Sequence, residues 1–203
     1  MDIEKLRSLI LSFIKTWWFS LILVLCSWFI IHQYYLTIAS NIFKAINYDH
    51  IFGLSLFYFF LDNLTLILHE AGHTIFGIFG WRFLTILGGT LMQLLIPFLI
   101  VIYGFTNYKQ KVTQTGLYWL GFSWLDSSAY AADAFYRQLP LIGNLPKSAH
   151  DFRNMLTQLG WIEDYMTVAW IMFWTGTILL MISITYPFLK RKRTKYIDLE
   201  LEL

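Results

Sequence analysis

The sequence predicts an all-α integral membrane protein with about five transmembrane helices. Three observations carry this expectation. Hydrophobic residues make up 57% of the 203-residue chain and charged residues only 14%, whereas a soluble domain carries roughly 25% charged residues. Five apolar stretches are each long enough for a bilayer core, which takes about 20 helical residues to cross. Aromatic residues reach 19%, an excess that suits a chain with many ends at a membrane–water interface.

The same figures exclude a disordered, collagen-like or disulfide-stapled chain. The single cysteine, Cys26, cannot form an intrachain disulfide. A net charge of +2 gives no nucleic-acid signal. The dense basic run Lys190–Arg193 directly follows an apolar stretch, so it reads as a topology anchor. The whole chain reads as one membrane domain, 1–203.

The five stretches are taken as helices because backbone groups in lipid must pair internally. The first spans about 17–39, flanked by Trp17, Trp18, Tyr34 and Tyr35 as interface anchors. Lys5, Arg7 and Lys15 precede it, and Thr37-Ile38-Ala39 is a weak cleavage pattern, so a secretory signal is the competing reading. The second, 51–80, contains Asp62, His69, Glu70 and His73. The third, 83–105, is uncharged. The fourth, 116–136, carries only Asp126 and Asp133. The fifth, 166–189, is again uncharged. A polar loop, 138–160, separates the last two, and the tail 190–203 ends in an alternating pattern that is either frayed or extended.

Strict alternation of five helices puts the termini on opposite sides. Lys and Arg then number eight on the side of the C-terminus and seven on the side of the N-terminus. The positive-inside rule does not decide orientation on that count.

The chemistry lies in His69-Glu70-Ala71-Gly72-His73. Residues four apart share one helix face, so both imidazoles reach a single zinc ion at roughly 2.0–2.1 Å. Glu70 stands beside that face, where it meets a water rather than the metal. Zinc lowers the pKa of a coordinated water to about 7, and the Glu takes its proton and passes it to the leaving amine. Ionisable groups at a membrane centre cost about 2.5–3.5 kcal/mol each on insertion scales, and a metal is the best compensating partner. The expected fold thus gains a zinc site inside the bundle, with Glu70 catalytic and His69 and His73 as ligands.

Leu68–Gly77, with Gly72 before the second His, resembles the zinc helix of the site-2 protease family of intramembrane metalloproteases. That family follows it with a G-P-x-x-N element. Gly89-Thr90-Leu91-Met92-Gln93 is similar, with Thr for Pro and Gln for Asn. The resemblance covers roughly residues 60–135, and there is no room for a PDZ or other regulatory module. It implies a third zinc ligand from an L-D-G element. Leu125-Asp126-Ser127 is the nearest match, which makes Asp126 the expected ligand. Asp133, Asp151 and His150 stay open as alternatives, with an N-cap as the other reading of Asp151. Tyr130, on the face of Asp126 and Asp133, is an expected hydrogen-bond donor to a developing oxyanion. Asp62 and Asn63 either line a water path or partner another helix. His32 and His50 have no metal spacing. Gly88 and Gly89 permit close backbone approach.

The expected function is zinc-dependent hydrolysis of peptide bonds in membrane-anchored protein substrates. Zn2+ is the cofactor, and the membrane and its anchored substrate are the partners, in a cell membrane. The alternative is a non-proteolytic metal-binding membrane protein, either a transporter or a degenerate protease-like subunit. The departures at Thr90 and Ser127 keep that alternative open.

Overall fold

A computed structural model describes residues 3–43 and 54–201. It contains six helices: α1 Ile3–Ser40, α2 Leu54–Gly77, α3 Arg82–Thr106, α4 Gln110–Ala132, α5 Asp151–Leu159 and α6 Tyr165–Leu201. The described residues include no strand. Each expected apolar stretch falls on one long helix, and the segment between α4 and α6 holds the short α5 and three 3₁₀ turns. The tail is helical through Leu201, neither extended nor frayed. Extending an existing helix carries no nucleation cost, and Leu and Glu favour helix intrinsically. His50 lies outside the described residues.

Side-chain pairings give the helix directions. Lys111 stands over the Trp18 ring at 4.5 Å, Gln114 binds Ser20, and Tyr34 Oη donates to Asp126 at 3.3 Å. Rising numbers meet rising numbers, so α1 and α4 run parallel. α2 runs the same way. Tyr58 Oη donates to the Cys26 carbonyl at 2.6 Å, and farther along α2 His69 shares a cavity with Tyr34 and Thr37. α3 opposes α2, and α6 opposes α4.

The expectation of termini on opposite sides is therefore overturned. The start of α1, the α3–α4 turn and the end of α6 share one end, here the base. The α2–α3 turn, the loop after α4 and α5 form the other end, the head. The alternation rule failed because α1 and α2, though consecutive, run parallel.

α4 is the central helix, packed on α6, α3 and α1. Packing against these helices lets it carry Gln114, Ser123, Asp126, Ser127 and Ser128 without exposing them on the surface. This explains its modest hydropathy. By length and apolarity, α1, α3 and α6 are able to cross a membrane. α2 and α4 have 24 and 23 residues, long enough but diluted by inward polar groups. α1 packs inward through Leu23, Cys26, Ile30, Tyr34 and Ile38, an integral wall of the bundle, while Leu25 and Trp28 on its outer face are 70% and 78% exposed. α2 and α3 touch at Gly72 and Gly88, where a Cβ on either would strike the other's carbonyl oxygen.

Near the base, a polar layer ties three helices together. Gln114 Nε2 donates to Ser20 Oγ and to the Ser183 carbonyl, both at 2.9 Å. Ser183 Oγ donates back to the Gln114 carbonyl at 2.7 Å. All three residues are buried. Gln114→Leu removes the side-chain bonds and leaves their partners unpaired. We expect a loss of about 1–2 kcal/mol, read as a lower melting temperature of the detergent-solubilised protein. An unchanged melting temperature would show that the layer is not stabilising.

Candidate metal centre

His69 and His73 lie one turn apart near the head end of α2, both facing α3. Their rings are edge-on, with centroids 4.7 Å apart. The Nδ1 atoms are held first. His73 Nδ1 donates to the Thr85 carbonyl at 2.9 Å, since a carbonyl oxygen only accepts. His69 Nδ1 lies 2.9 Å from Gln93 Oε1. The Gln93 amide nitrogen donates to Ser127 Oγ and to the Ser123 carbonyl, which turns its oxygen toward the ring, so His69 Nδ1 donates too. With both Nδ1 atoms protonated, the Nε2 atoms are the free coordinating positions.

Both Nε2 atoms point at one oxygen. Asp151 Oδ2 lies 3.1 Å from His69 Nε2 and 3.2 Å from His73 Nε2. Either each Nε2 carries a proton, placing two cations around one carboxylate, or one divalent cation replaces those two protons. Ligand atoms around a tetrahedral zinc with bonds of roughly 2.0–2.1 Å are about 3.3 Å apart, so the observed spacing fits that ion. Gly89 leaves the space. A Cβ there would lie 2.6 Å from His69 Nε2 and 2.7 Å from His73 Nε2. The coordinating atoms of His69, Glu70 and His73 lie within 4.8 Å of one another, so this group is able to hold a metal ion.

Asp151 is held from behind. Its backbone N–H donates to Tyr130 Oη at 3.2 Å, and Tyr130 Oη is 3.5 Å from Asp151 Oδ2. The Tyr130 ring lies 4.2 Å from the His150 ring. His150 Nδ1 caps α5 by accepting from the Arg153 N–H at 3.3 Å, and its Nε2 faces Asp133 Oδ2 at 3.5 Å. Asp133 accepts from the backbone N–H groups of Gln138 at 2.6 Å and Leu139 at 2.9 Å. This chain of contacts folds the loop back so that the first turn of α5 sits over the imidazoles. Burial pushes the Asp151 carboxyl up, but the two imidazoles more than reverse that and hold it at about 2. It is therefore anionic at neutral pH.

The resemblance implied Asp126 for the third position, and the structure brings a different carboxylate to the imidazoles. Asp151, not Asp126, meets both imidazoles. Asp126 lines the same cavity but accepts from Tyr34, and Asp133 is spent on the loop. The depth argument that favoured Asp126 counted residues along straight helices, and so missed a loop that returns across the head. Tyr130 lies at the site as expected, but its hydroxyl is engaged by Asp151. Asp62 lines the cavity, while Asn63 donates to the Phe59 carbonyl of its own helix at 2.7 Å. His32 is exposed on α1. Gln93 and Ser127 form a single hydrogen-bonded link behind His69. The Thr85 carbonyl was invisible to motif reading because any residue supplies one.

The cavity has a volume of about 450 Å³ and is lined by these groups, by Asp62 and Asp126, and by Leu139, Leu141 and Leu145 of the head loop. No family model, curated protein or solved structure matches the chain.

When the protein is titrated with zinc, Asp151→Ala is expected to lose most of the binding, whereas Asp126→Ala retains it; metal analysis of the two variants decides. Equal retention by both would remove Asp151 from the ligand set. His150→Ala, which loosens the support of Asp151, is expected to weaken zinc binding about 10-fold in a competition titration with a chelating dye.

Proposed function

We propose that this protein is a zinc-dependent endopeptidase embedded in a membrane, cutting the chains of membrane-anchored proteins. The observation that carries the reading is the convergence of His69 Nε2, His73 Nε2 and Asp151 Oδ2 beside Glu70. In this reading the five long helices lie across the bilayer, with the apolar faces of α1, α3 and α6 toward lipid.

His69, His73 and Asp151 would hold a Zn2+ ion, which would supply Lewis-acid polarisation of a carbonyl and acidify water. Glu70 takes a proton from the attacking water and returns it to the leaving amine. Thr85 and Gln93 keep both imidazoles in the tautomer that presents Nε2, as outer-shell partners of metal ligands do. Tyr130 and the Asp133–His150 pair keep the anionic Asp151 in place. The substrate is a segment that has lost its helix, because the scissile carbonyl must be free of intrahelical bonding to enter the cavity. Its volume of about 450 Å³ falls within the roughly 300–1,000 Å³ usual for ligand sites. Leu139, Leu141 and Leu145 offer apolar contacts to side chains flanking the bond.

One observation favours a second reading. Asp62 and Asp126 extend the acidic lining of the cavity deeper into the bundle, as an ion-conducting site requires. Vectorial zinc flux in proteoliposomes without peptide cleavage would select transport.

Glu70→Gln retains zinc, since Glu70 is not a ligand in this scheme, and lowers cleavage of a membrane-anchored substrate at least about 100-fold. Removal of the metal by a chelator abolishes cleavage, and added zinc restores it. Cleavage at the normal rate by Glu70→Gln would end the peptidase assignment.

A further inference from the structure

The helix directions change the charge count that the sequence alone left nearly even. Lys5, Arg7 and Lys15 of α1 lie at the base. So do Lys109 and Lys111 at the α3–α4 turn and the five basic residues of 190–195 at the end of α6, ten in all. The head carries four: Arg82, Arg137, Lys147 and Arg153. Lys44 lies outside the described residues.

The two ends also use their cations differently. Lys109 Nζ donates to Tyr103 Oη at 2.8 Å, and Lys111 lies over the Trp18 ring. These are Lys–aromatic pairs of the kind found where a helix leaves lipid. At the head, Lys147 Nζ donates to the carbonyls of Gln138 and Leu139, and Arg153 Nη1 to that of Ala134 at 3.4 Å. Those two cations hold the loop together. The base also carries Glu4, Asp198 and Glu200, but acidic residues contribute little to orientation, which follows Lys and Arg near the ends of the spans.

We propose that the base lies against the anionic cytoplasmic leaflet, so that the His69–His73–Asp151 site opens at the opposite face of the membrane. The proposal rests on the reading of the bundle as membrane-spanning. For the proposed peptidase it also names the substrate class: anchored chains whose cleaved segment reaches the site from the non-cytoplasmic side. The cavity geometry agrees, because its outer wall is the head loop Leu139–Ala149 and, among the described residues, none from the base lines it. The juxtamembrane cations are drawn to the negative surface potential of that leaflet, and the retained head faces away from it.

The test is cysteine labelling in sealed right-side-out vesicles with a membrane-impermeant maleimide. Cys26→Ala provides the cysteine-free background, and Ser148→Cys at the head and Asn107→Cys at the base are the probes. Both probe residues are exposed. Ser148→Cys is expected to label at once, and Asn107→Cys only after the vesicles are opened, a difference of at least about tenfold in initial rate. The reverse pattern, or equal labelling of both before opening, overturns the proposal. Labelling of neither until opening overturns it too, and shows that the bundle does not cross the membrane. Glu70-dependent cleavage in detergent tests the peptidase reading independently of sidedness. A fluorescent protein joined after Leu203, which matures only in the cytoplasm, gives a second measurement with the native residues unchanged. A dark fusion present at normal level also overturns the proposal.

Discussion

Two imidazole nitrogens and one carboxylate oxygen meet at about hydrogen-bond distance inside an apolar bundle, and much of the head is arranged around that meeting. Unpaired lone pairs do not converge without cost in a medium of low dielectric. Each ring is therefore fixed by its other nitrogen, through the Thr85 carbonyl and the Gln93 amide. The room between them exists because residue 89 has no side chain. The carboxylate arrives on α5, whose first turn is held by Tyr130, His150 and Asp133. Deleting Gln93 leaves His69 Nδ1 without the acceptor that fixes its ring.

A second constraint follows from the first. A bundle that houses polar groups at its centre needs an inner helix to carry them and outer helices to shield them. α4 fills the inner role, buried around most of its circumference, and supplies Ser127, Asp126 and Tyr130 to the cavity. α1, α3 and α6 provide the apolar exterior. The close α2–α3 contact at Gly72 and Gly88 draws the zinc-type motif and Gln93 together, so the same small residues serve packing and site geometry. Parallel α1 and α2 then gather most of the basic residues at the base, away from the site.

Much of this was legible along the chain. Apolar runs of about 20 residues declare helices by length alone, and His69, Glu70 and His73 announce a shared face because a helix has a fixed period. Gln93 was recognisable by its amide chemistry, and Gly89 by its place after Gly88. These are local properties, set by neighbours within one or two turns. The tail shows the limit of local pattern. Its alternation matched a strand, yet the preceding helix continues to Leu201.

Which carboxylate meets the imidazoles was decided by tertiary structure, as was the direction of α1. Three acidic candidates for the third position stood in the sequence, Asp126, Asp133 and Asp151, beside His150. The sequence could rank them only by counting rise along straight helices. The choice fell to Asp151 because the loop 133–150, clamped by Asp133, turns α5 back over α2, and the path of a loop is set by contacts far apart in the chain. The same holds for α1. Its length and apolarity were written in the sequence, but its direction depends on which faces of α4 and α6 it covers, and that is a property of the assembled bundle.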